Sequence, residues 1–105
     1  MTLQSAKQRM IKDIKNEDER VQITGYVRDL VEEEHFVLND DTGEIVADIK
    51  NIDFGFKEND LINVIGDLVK EGNEIKTIKA EIIQDKNKLN FEYYKKLYEL
   101  KIKYG

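Results

Sequence analysis

The chain has 105 residues and a formal net charge of −5 at pH 7. It has no cysteine and one histidine, which excludes disulfides, thiolate zinc sites, cysteine nucleophiles and any catalytic or metal site that needs several histidines. No stretch approaches the ~20 apolar residues of a membrane-spanning helix, so we expect one intracellular domain, in the cytoplasm, nucleoid or nucleus.

The first 20 residues are predicted to form either a short helix or a charged leader. Apolar residues recur at helical spacing from Leu3 to Ile14, which favours an amphipathic helix over residues 3–15. The charged run at 16–20 contains no core residue and leaves the polar leader as an equal alternative.

Residues 21–86 are predicted to form a mainly β unit, a five-stranded barrel of the OB type. The first strand starts at Val21, where apolar and polar residues alternate with the period of a half-buried strand. Gly25 inside this strand predicts a bend or bulge where the sheet must curl. The next two strands, HFVLND and EIVADIK, are joined by a hairpin at Asp40–Gly43, because aspartate bonds its own backbone and glycine adopts positive φ cheaply.

The fourth and fifth predicted strands are LINVIGDLVKE and EIKTIKAEIIQ, separated by a turn at residues 71–73. Gly66 repeats the mid-strand glycine of the first strand. Five strands with two such glycines fit an OB barrel. An irregular connection, NIDFGFKEND, precedes the fourth strand.

The order V-x-I-x-G-Y-V, F-x-L-x-D-x-T-G-E-I and L-I-x-V-I-G-D-L-V resembles the OB-fold family that includes replication protein A subunits and the anticodon-binding domains of tRNA synthetases. The resemblance spans residues 21–85. The matching residues are Val21, Ile23, Gly25, Val27, Phe36, Leu38, Asp40, Thr42, Gly43, Ile45, Val64, Gly66 and Val69.

Residues 87–105 are predicted to form a C-terminal amphipathic helix. No glycine or proline occurs from Leu89 to Tyr104, and Asn87 or Asn90 can cap its start. At ~100° per residue, its apolar side chains form two stripes. One stripe contains Leu89, Tyr93, Leu97, Leu100 and Tyr104, and the other contains Phe91, Tyr94, Tyr98 and Ile102.

A helix that only covers its own barrel needs an apolar arc of about 100°, and this helix offers about twice that. Either the helix lies deep against the barrel, or one stripe docks on the barrel and the other meets a partner, and we favour the second arrangement. Small replication protein A subunits are likewise an OB barrel followed by a helix through which the subunits assemble, and the small third subunit of the telomere-capping complex is built alike. The resemblance thus implies larger OB-fold subunits as partners, with all nine stripe residues as candidate interface.

Single-stranded nucleic acid binds OB barrels by stacking bases on aromatic side chains, with cations along the backbone path. The candidate residues are Tyr26, Arg28, Lys50, Phe54, Phe56, Lys57, Lys70 and Lys76. Five of them have a structural alternative, because Tyr26 can cover the core, the two phenylalanines can plug one end of the barrel, and Lys70 and Lys76 can be ordinary solvated turn lysines. If Phe36 and Leu38 point inward, only His35 is left as a stacking residue on the outer surface of the second and third strands. The reverse register would expose Phe36.

Charge opposes a strong grip on phosphates. Residues 21–87 contain seven basic and sixteen acidic side chains, whereas residues 1–20 carry +1 and residues 88–105 carry +3. The acidic run Glu32–Glu34 lies where the first binding loop is expected. The chain also lacks a glycine-rich phosphate loop and an EF-hand ligand pattern, so we expect no enzyme activity, no cofactor and no metal site.

The leading hypothesis is a small OB-fold subunit of a heteromeric complex that binds single-stranded DNA and resembles replication protein A, in DNA replication or repair. Its role would be assembly through the C-terminal helix, with weak or no DNA affinity alone. One alternative is a free-standing module that binds single-stranded DNA or RNA. Another is an acidic OB-fold adaptor or inhibitor that occupies a basic partner surface.

Overall fold

The computed structural model describes residues 6–104, apart from the side chain of Lys76. This part of the chain is mainly β, with one α-helix at its C-terminal end, as predicted. The elements are β1 (Lys7–Gln8), β2 (Arg20–Val31), β3 (His35–Asn39), β4 (Glu44–Asp48), β5 (Leu61–Glu71), β6 (Glu74–Asp85) and α1 (Phe91–Tyr104).

The sheet closes on itself because β2 is long enough to pair on both sides. Its first part, Arg20–Tyr26, pairs antiparallel with β5, and its second part pairs antiparallel with β3. From β3 the ring continues through antiparallel β4, parallel β6 and antiparallel β5. β1 pairs in parallel with β2 outside this ring, so the described sheet has six strands where five were predicted. A two-residue strand is too short to show a period of two in the sequence.

The core fills the interior of the closed sheet with one face of each strand. Phe36 and Leu38 of β3 and Ala47 of β4 are fully buried, and their neighbours along each strand are not. This confirms the inward register expected for these strands. The larger core cluster also includes Val21, Ile23, Val27, Ile45, Ile49, Ile62, Val64, Ile78 and Ala80.

The two mid-strand glycines permit close approach of neighbouring strands. A Cβ atom on Gly25 would lie 2.7 Å from the carbonyl oxygen of Asn39, and one on Gly66 would lie 2.0 Å from that of Lys79. Of the bend or bulge predicted at Gly25, the bulge is not observed there, since the register of β2 against β3 shifts further along, between Arg28 and Val31. The β5–β6 register does shift beside Gly66.

The hairpin between β3 and β4 is confirmed, but its geometry differs from the prediction. Asp41 adopts the left-handed conformation, with φ of 70°, whereas Gly43 does not. Asp40 is fully buried, and its carboxylate accepts hydrogen bonds from the backbone N–H of Thr42 at 2.9 Å and from its hydroxyl at 2.6 Å. The same carboxylate accepts the N–H of Ile11 at 2.7 Å, so it ties the turn to the N-terminal segment.

The helix predicted over residues 3–15 is not observed in the described part of that range, and Leu3 lies outside it. Beyond β1, only Ile11–Asp13 form a single 3-10 turn. The backbone N–H groups of this segment do not form an α-helical ladder, since that of Arg9 donates to the carbonyl of Gln22 at 3.1 Å and that of Lys12 to the hydroxyl of Thr42 at 3.2 Å. Apolar spacing alone therefore does not identify a helix here, because Met10 is buried in an extended conformation and Ile11 and Ile14 pack against the core around a single 3-10 turn.

A buried ion pair completes this N-terminal segment. Asp18 is 1% exposed, and its carboxylate accepts two hydrogen bonds from the guanidinium of Arg9, at 2.9 and 3.2 Å. It also accepts the backbone N–H of Lys15 at 2.9 Å. The hydrogen bond from Arg9 is the main reason that the pKa of Asp18 lies below its usual range.

Candidate functional site

The C-terminal helix α1 separates the two predicted stripes into opposite environments. Asn90 caps its start by accepting the backbone N–H of Tyr93 on its side-chain oxygen at 3.1 Å. We call Phe91, Tyr94 and Tyr98 the inner face, because Phe91 and Tyr98 are about 95% buried and Tyr94 is half-buried. The outer face consists of Tyr93, Leu97, Leu100 and Tyr104, all of which are exposed.

The inner face lies on the N-terminal segment and on β2. The ring of Phe91 meets the ring of Tyr26 edge-on, with centroids 5.3 Å apart. The hydroxyl of Tyr98 donates to Asp13 at 2.9 Å, and the hydroxyl of Tyr94 accepts from the side-chain amide of Gln8 at 2.8 Å. Burial raises the pKa of Tyr98, since the site disfavours the phenolate.

Two ion pairs join α1 to other parts of the chain. Lys95 lies 3.0 Å from the carboxylate of Asp41 and 3.1 Å from that of Glu92, and the Asp41 bond is the main cause of its raised pKa. Lys12 lies 3.8 Å from Glu99. Because these contacts come from the hairpin and the N-terminal segment, the helix presents its outer face to solvent.

The outer face exposes large apolar side chains to an unusual degree. Tyr93 is 60% exposed, Leu97 48%, Leu100 51% and Tyr104 75%. The remaining predicted interface residues differ, because Leu89 is half-buried before the helix starts and Ile102 is 58% exposed beside a cleft of about 330 Å³. Of the nine residues, Phe91 and Tyr98 are thus buried against the chain itself and Leu89 and Tyr94 are half-buried. The other five are exposed and available to a partner.

Tyr26 and Arg28, proposed as nucleic-acid contacts, form a local stack on β2. The guanidinium carbon of Arg28 lies 5.3 Å from the centre of the Tyr26 ring, and Arg28 also donates to the side chain of Asn59. Since Phe91 packs against the same ring, Tyr26 covers the core beneath α1. This is the structural alternative expected for Tyr26 from the sequence.

Phe54 and Phe56 close one end of the sheet. The ring of Phe54 stacks on the core ring of Phe36 at 5.0 Å, and Phe56 packs 5.5 Å from Phe54. Two shallow clefts of about 390 and 220 Å³ flank this plug, and Glu33 lines both of them. A base entering either cleft would meet acidic side chains beside the ring. The two clefts are lined by Leu30, Glu32, Glu33, Lys50, Ile52, Asp53, Phe54 and Phe56.

Of the predicted cations, Lys50 lines a cleft beside Phe54, whereas Arg28 and Lys70 lie far apart. Lys50 lies 3.7 Å from Asp48, Lys57 is exposed on the connection before β5, and Lys70 donates to the backbone carbonyl of Asn16. The side chain of Lys76 lies outside the described residues. Arg28 and Lys70 stand at opposite ends of the β2–β5 ladder, whose paired residues alone span ~20 Å.

Residues 6–104 contain neither a cluster of potential metal ligands nor a helix long and apolar enough to span a membrane. Across that range no three histidine, aspartate or glutamate side chains gather as a metal site would require. Nor does the described part of the chain contain a helix of the length and apolarity needed to cross a bilayer.

The residues that hold α1 in place were missed in the sequence. Gln8, Asp13 and Asp41 are more than 50 positions away from their partners on the helix. Their spacing to those partners carries no local signal. The signal available in the sequence was the tyrosine hydroxyls of the stripes, which need polar partners wherever they are buried.

Comparison with known proteins agrees with this architecture. No family model and no curated protein matches the chain. The crystal structure of telomere capping protein Ten1 from Saccharomyces pombe matches with a TM-score of 0.78 at 17% identity, over 94% of this chain and 99% of that one. A chain of the S. pombe Stn1–Ten1 complex matches with a TM-score of 0.80 at 17% identity, over 97% and 96%.

A third solved structure, the hypothetical protein ygiW from E. coli, matches with a TM-score of 0.59 at 18% identity, over 79% of this chain and 91% of that one. At these identities the likeness shows the fold alone. The chain therefore shares its fold with these solved structures, which agrees with the mainly β, OB-type fold expected from the sequence.

Proposed function

We propose that the chain is a small OB-fold subunit of a heteromeric complex that binds single-stranded DNA, and that it joins a larger OB-fold subunit through the outer face of α1. Two findings support the partner class. A structure with the same fold over 97% of this chain belongs to the Stn1–Ten1 complex, and the likeness includes nearly all of that protein's length. The second finding is that the outer face of α1 in this chain is exposed to solvent.

The outer face carries this proposal. Single exposed apolar residues are common on protein surfaces, but four large ones in a row on one helix mark an interaction site. Completing the burial of a half-exposed Leu97 or Leu100 stabilises a complex by ~1 kcal/mol for each side chain. The inner face alone packs on the N-terminal segment and β2, so the outer face is not needed to cover this chain's own sheet.

The contribution of this chain to DNA binding is then mainly assembly. The plug residue Phe54 lies among acidic side chains, and Tyr26 is covered by Phe91. Since phosphate binding depends on clustered cations, we expect the isolated chain to bind oligonucleotides weakly. The larger subunits would supply most of the affinity.

The test is co-purification of the tagged chain from its source cells, with identification of recovered proteins by mass spectrometry. We expect a larger protein whose own sequence predicts an OB fold. Leu97→Asp should abolish recovery, because a charge in the centre of the interface is desolvated without a partner. Ile82→Asp is the matched control, since Leu97 and Ile82 are both 48% exposed.

Recovery of the partner by Leu97→Asp, or a wild-type chain that recovers no OB-fold protein, would contradict the proposal. Titration of the purified chain with a fluorescent oligothymidine tests the alternatives. Tight, salt-sensitive binding by the chain alone would favour a free-standing nucleic-acid module. Recovery of a basic enzyme without any OB-fold subunit would favour an acidic adaptor.

A further inference from the structure

The outer face of α1 has the spacing of a coiled-coil seam. Tyr93, Leu97, Leu100 and Tyr104 follow one another at intervals of four, three and four residues, which is the a/d pattern of a heptad. At ~100° per residue they fall within an arc of about 60°, and at ~1.5 Å per residue they span about 17 Å. This shape fits another helix lying along α1.

Lysines border this seam on both sides. If Leu97 is placed at heptad position a, then Lys96 and Lys103 occupy g positions and Lys101 occupies an e position. All three are exposed, and across residues 6–104 no acidic side chain forms an ion pair with any of them. The ammonium group of Lys103 lies 5.4 Å from the centre of the Tyr104 ring.

The acidic residues of α1 lie further round the helix and have their own partners. Glu92 bonds Lys95 at 3.1 Å, and Glu99 lies 3.8 Å from Lys12. The border of the outer face is therefore positive, although residues 21–87 are strongly acidic. At physiological ionic strength charges interact over about 8 Å, so the bordering lysines outweigh the distant net charge for anything that lies on this face.

We propose that the occupant of the outer face is an amphipathic helix whose own apolar seam is bordered by glutamate or aspartate. This inference rests on the proposed function and names the chemistry of the partner element. Charges at e and g positions select the partner and orientation of a helix pair more than they add affinity. An acidic border opposite Lys96, Lys101 and Lys103 pairs all three, whereas a basic border places like charges in contact.

A nucleic-acid strand is less suited to this face. Bases need ring faces to stack on, and the two central side chains of the seam are Leu97 and Leu100. The two tyrosines stand at opposite ends, ~17 Å apart. Lysines in two borders around an apolar centre match a charged helix better than a continuous phosphate path.

The test uses two synthetic helical peptides with leucine at a and d, one with glutamate and the other with lysine at every e and g position. Each is titrated into the isotope-labelled full chain and followed by amide chemical shifts. We expect the glutamate peptide to shift amides of residues 93–104 and to bind at least about tenfold more tightly than the lysine peptide. High salt should reduce that ratio.

A triple variant, Lys96→Glu, Lys101→Glu and Lys103→Glu, should reverse the preference while the amide spectrum of the β-strands stays unchanged. Equal affinities, no binding of either peptide, or shifts confined to another surface would overturn the acidic-helix inference. So would oligothymidine that shifts these same amides when the glutamate peptide does not.

The two proposals fail separately. If Leu97→Asp releases the co-purified OB-fold protein but the triple lysine variant retains it, the assembly role stands and the acidic border is wrong. If no OB-fold protein is recovered but the glutamate peptide binds as expected, the assembly role is wrong and the helix-binding face stands.

Discussion

The inner and outer faces of α1 each contain two tyrosines, with one phenylalanine on the inner face and two leucines on the outer face, yet the inner face packs on the chain and the outer face is exposed. The difference lies in what surrounds the inner tyrosines. Tyr94 and Tyr98 have polar partners for their hydroxyls on the N-terminal segment, Gln8 and Asp13. Buried tyrosine needs such a partner, so apolar content alone does not decide which side of a helix docks.

The largest effect is expected from truncating each face in turn. Phe91→Ala removes a ring that is 5% exposed and should lower the free energy of unfolding by about 3 kcal/mol. Tyr93→Ala, on the outer face, should change it by less than ~0.5 kcal/mol. Urea denaturation followed by circular dichroism measures both. Equal losses would mean that the faces are not distinguished by burial in solution.

The Arg9–Asp18 ion pair, in the N-terminal segment beneath the inner face, should make the stability of the protein sensitive to acid. Asp18→Asn leaves the Arg9 guanidinium without its counter-charge and should cost about 2 kcal/mol at pH 7. Because the pKa of Asp18 is lowered in the folded state, its contribution is full above the unfolded value of about 3.9 and is lost as pH falls through the lower folded value. Wild-type stability should therefore drop in that range, and the drop should be smaller in the variant.

Unfolding by urea at a series of pH values between neutral and strongly acidic checks this expectation. Asp67→Asn is the control, since its carboxylate is 58% exposed and bonds Arg20 at the surface. If the free energy of unfolding falls equally at low pH in Asp18→Asn and in the wild type, the buried ion pair is not the cause of that fall.

The smallest effect concerns one hydroxyl. Tyr98→Phe removes the donor to Asp13 and should cost about 1 kcal/mol. The pKa of Tyr98 is raised in the folded state, so its contribution is full below the unfolded value of about 10 and is lost as pH rises through the higher folded value. Ultraviolet titration should detect one late tyrosine in the wild type, absent in Tyr98→Phe and still present in Tyr104→Phe, because Tyr104 is 75% exposed.

The strands β2 to β6 and the helix α1 could be predicted because periods of two and 3.6 are local properties of the sequence. The inward register of Phe36 and Leu38 followed from the same alternation. The conformation of the N-terminal segment could not, since it depends on Asp40 and on a distant carbonyl of β2 that satisfy its backbone donors. The two stripes of α1 were visible, but the stripe that docks was chosen by residues at the other end of the chain.

The candidate nucleic-acid residues show the same limit. Each has a reasonable side-chain chemistry, and the charge balance of the closed sheet was apparent from counting. Whether Tyr26 is open or covered depends on Phe91, 65 positions later, and no pattern around either residue carries that information. Arg28 and Lys70 do not lie along one path because they are beyond opposite ends of the paired residues of β2 and β5.

α1 packs on the N-terminal segment, and Gln8 and Asp13 bond residues 86 and 85 positions later. The two terminal segments of the described chain are therefore held together by side-chain hydrogen bonds. During synthesis, the N-terminal segment can reach its final packing only after α1 has left the ribosome. An affinity tag or a deletion near residue 8 acts directly on the helix that we assign to partner binding. Assembly assays should therefore carry the tag away from the N-terminal segment.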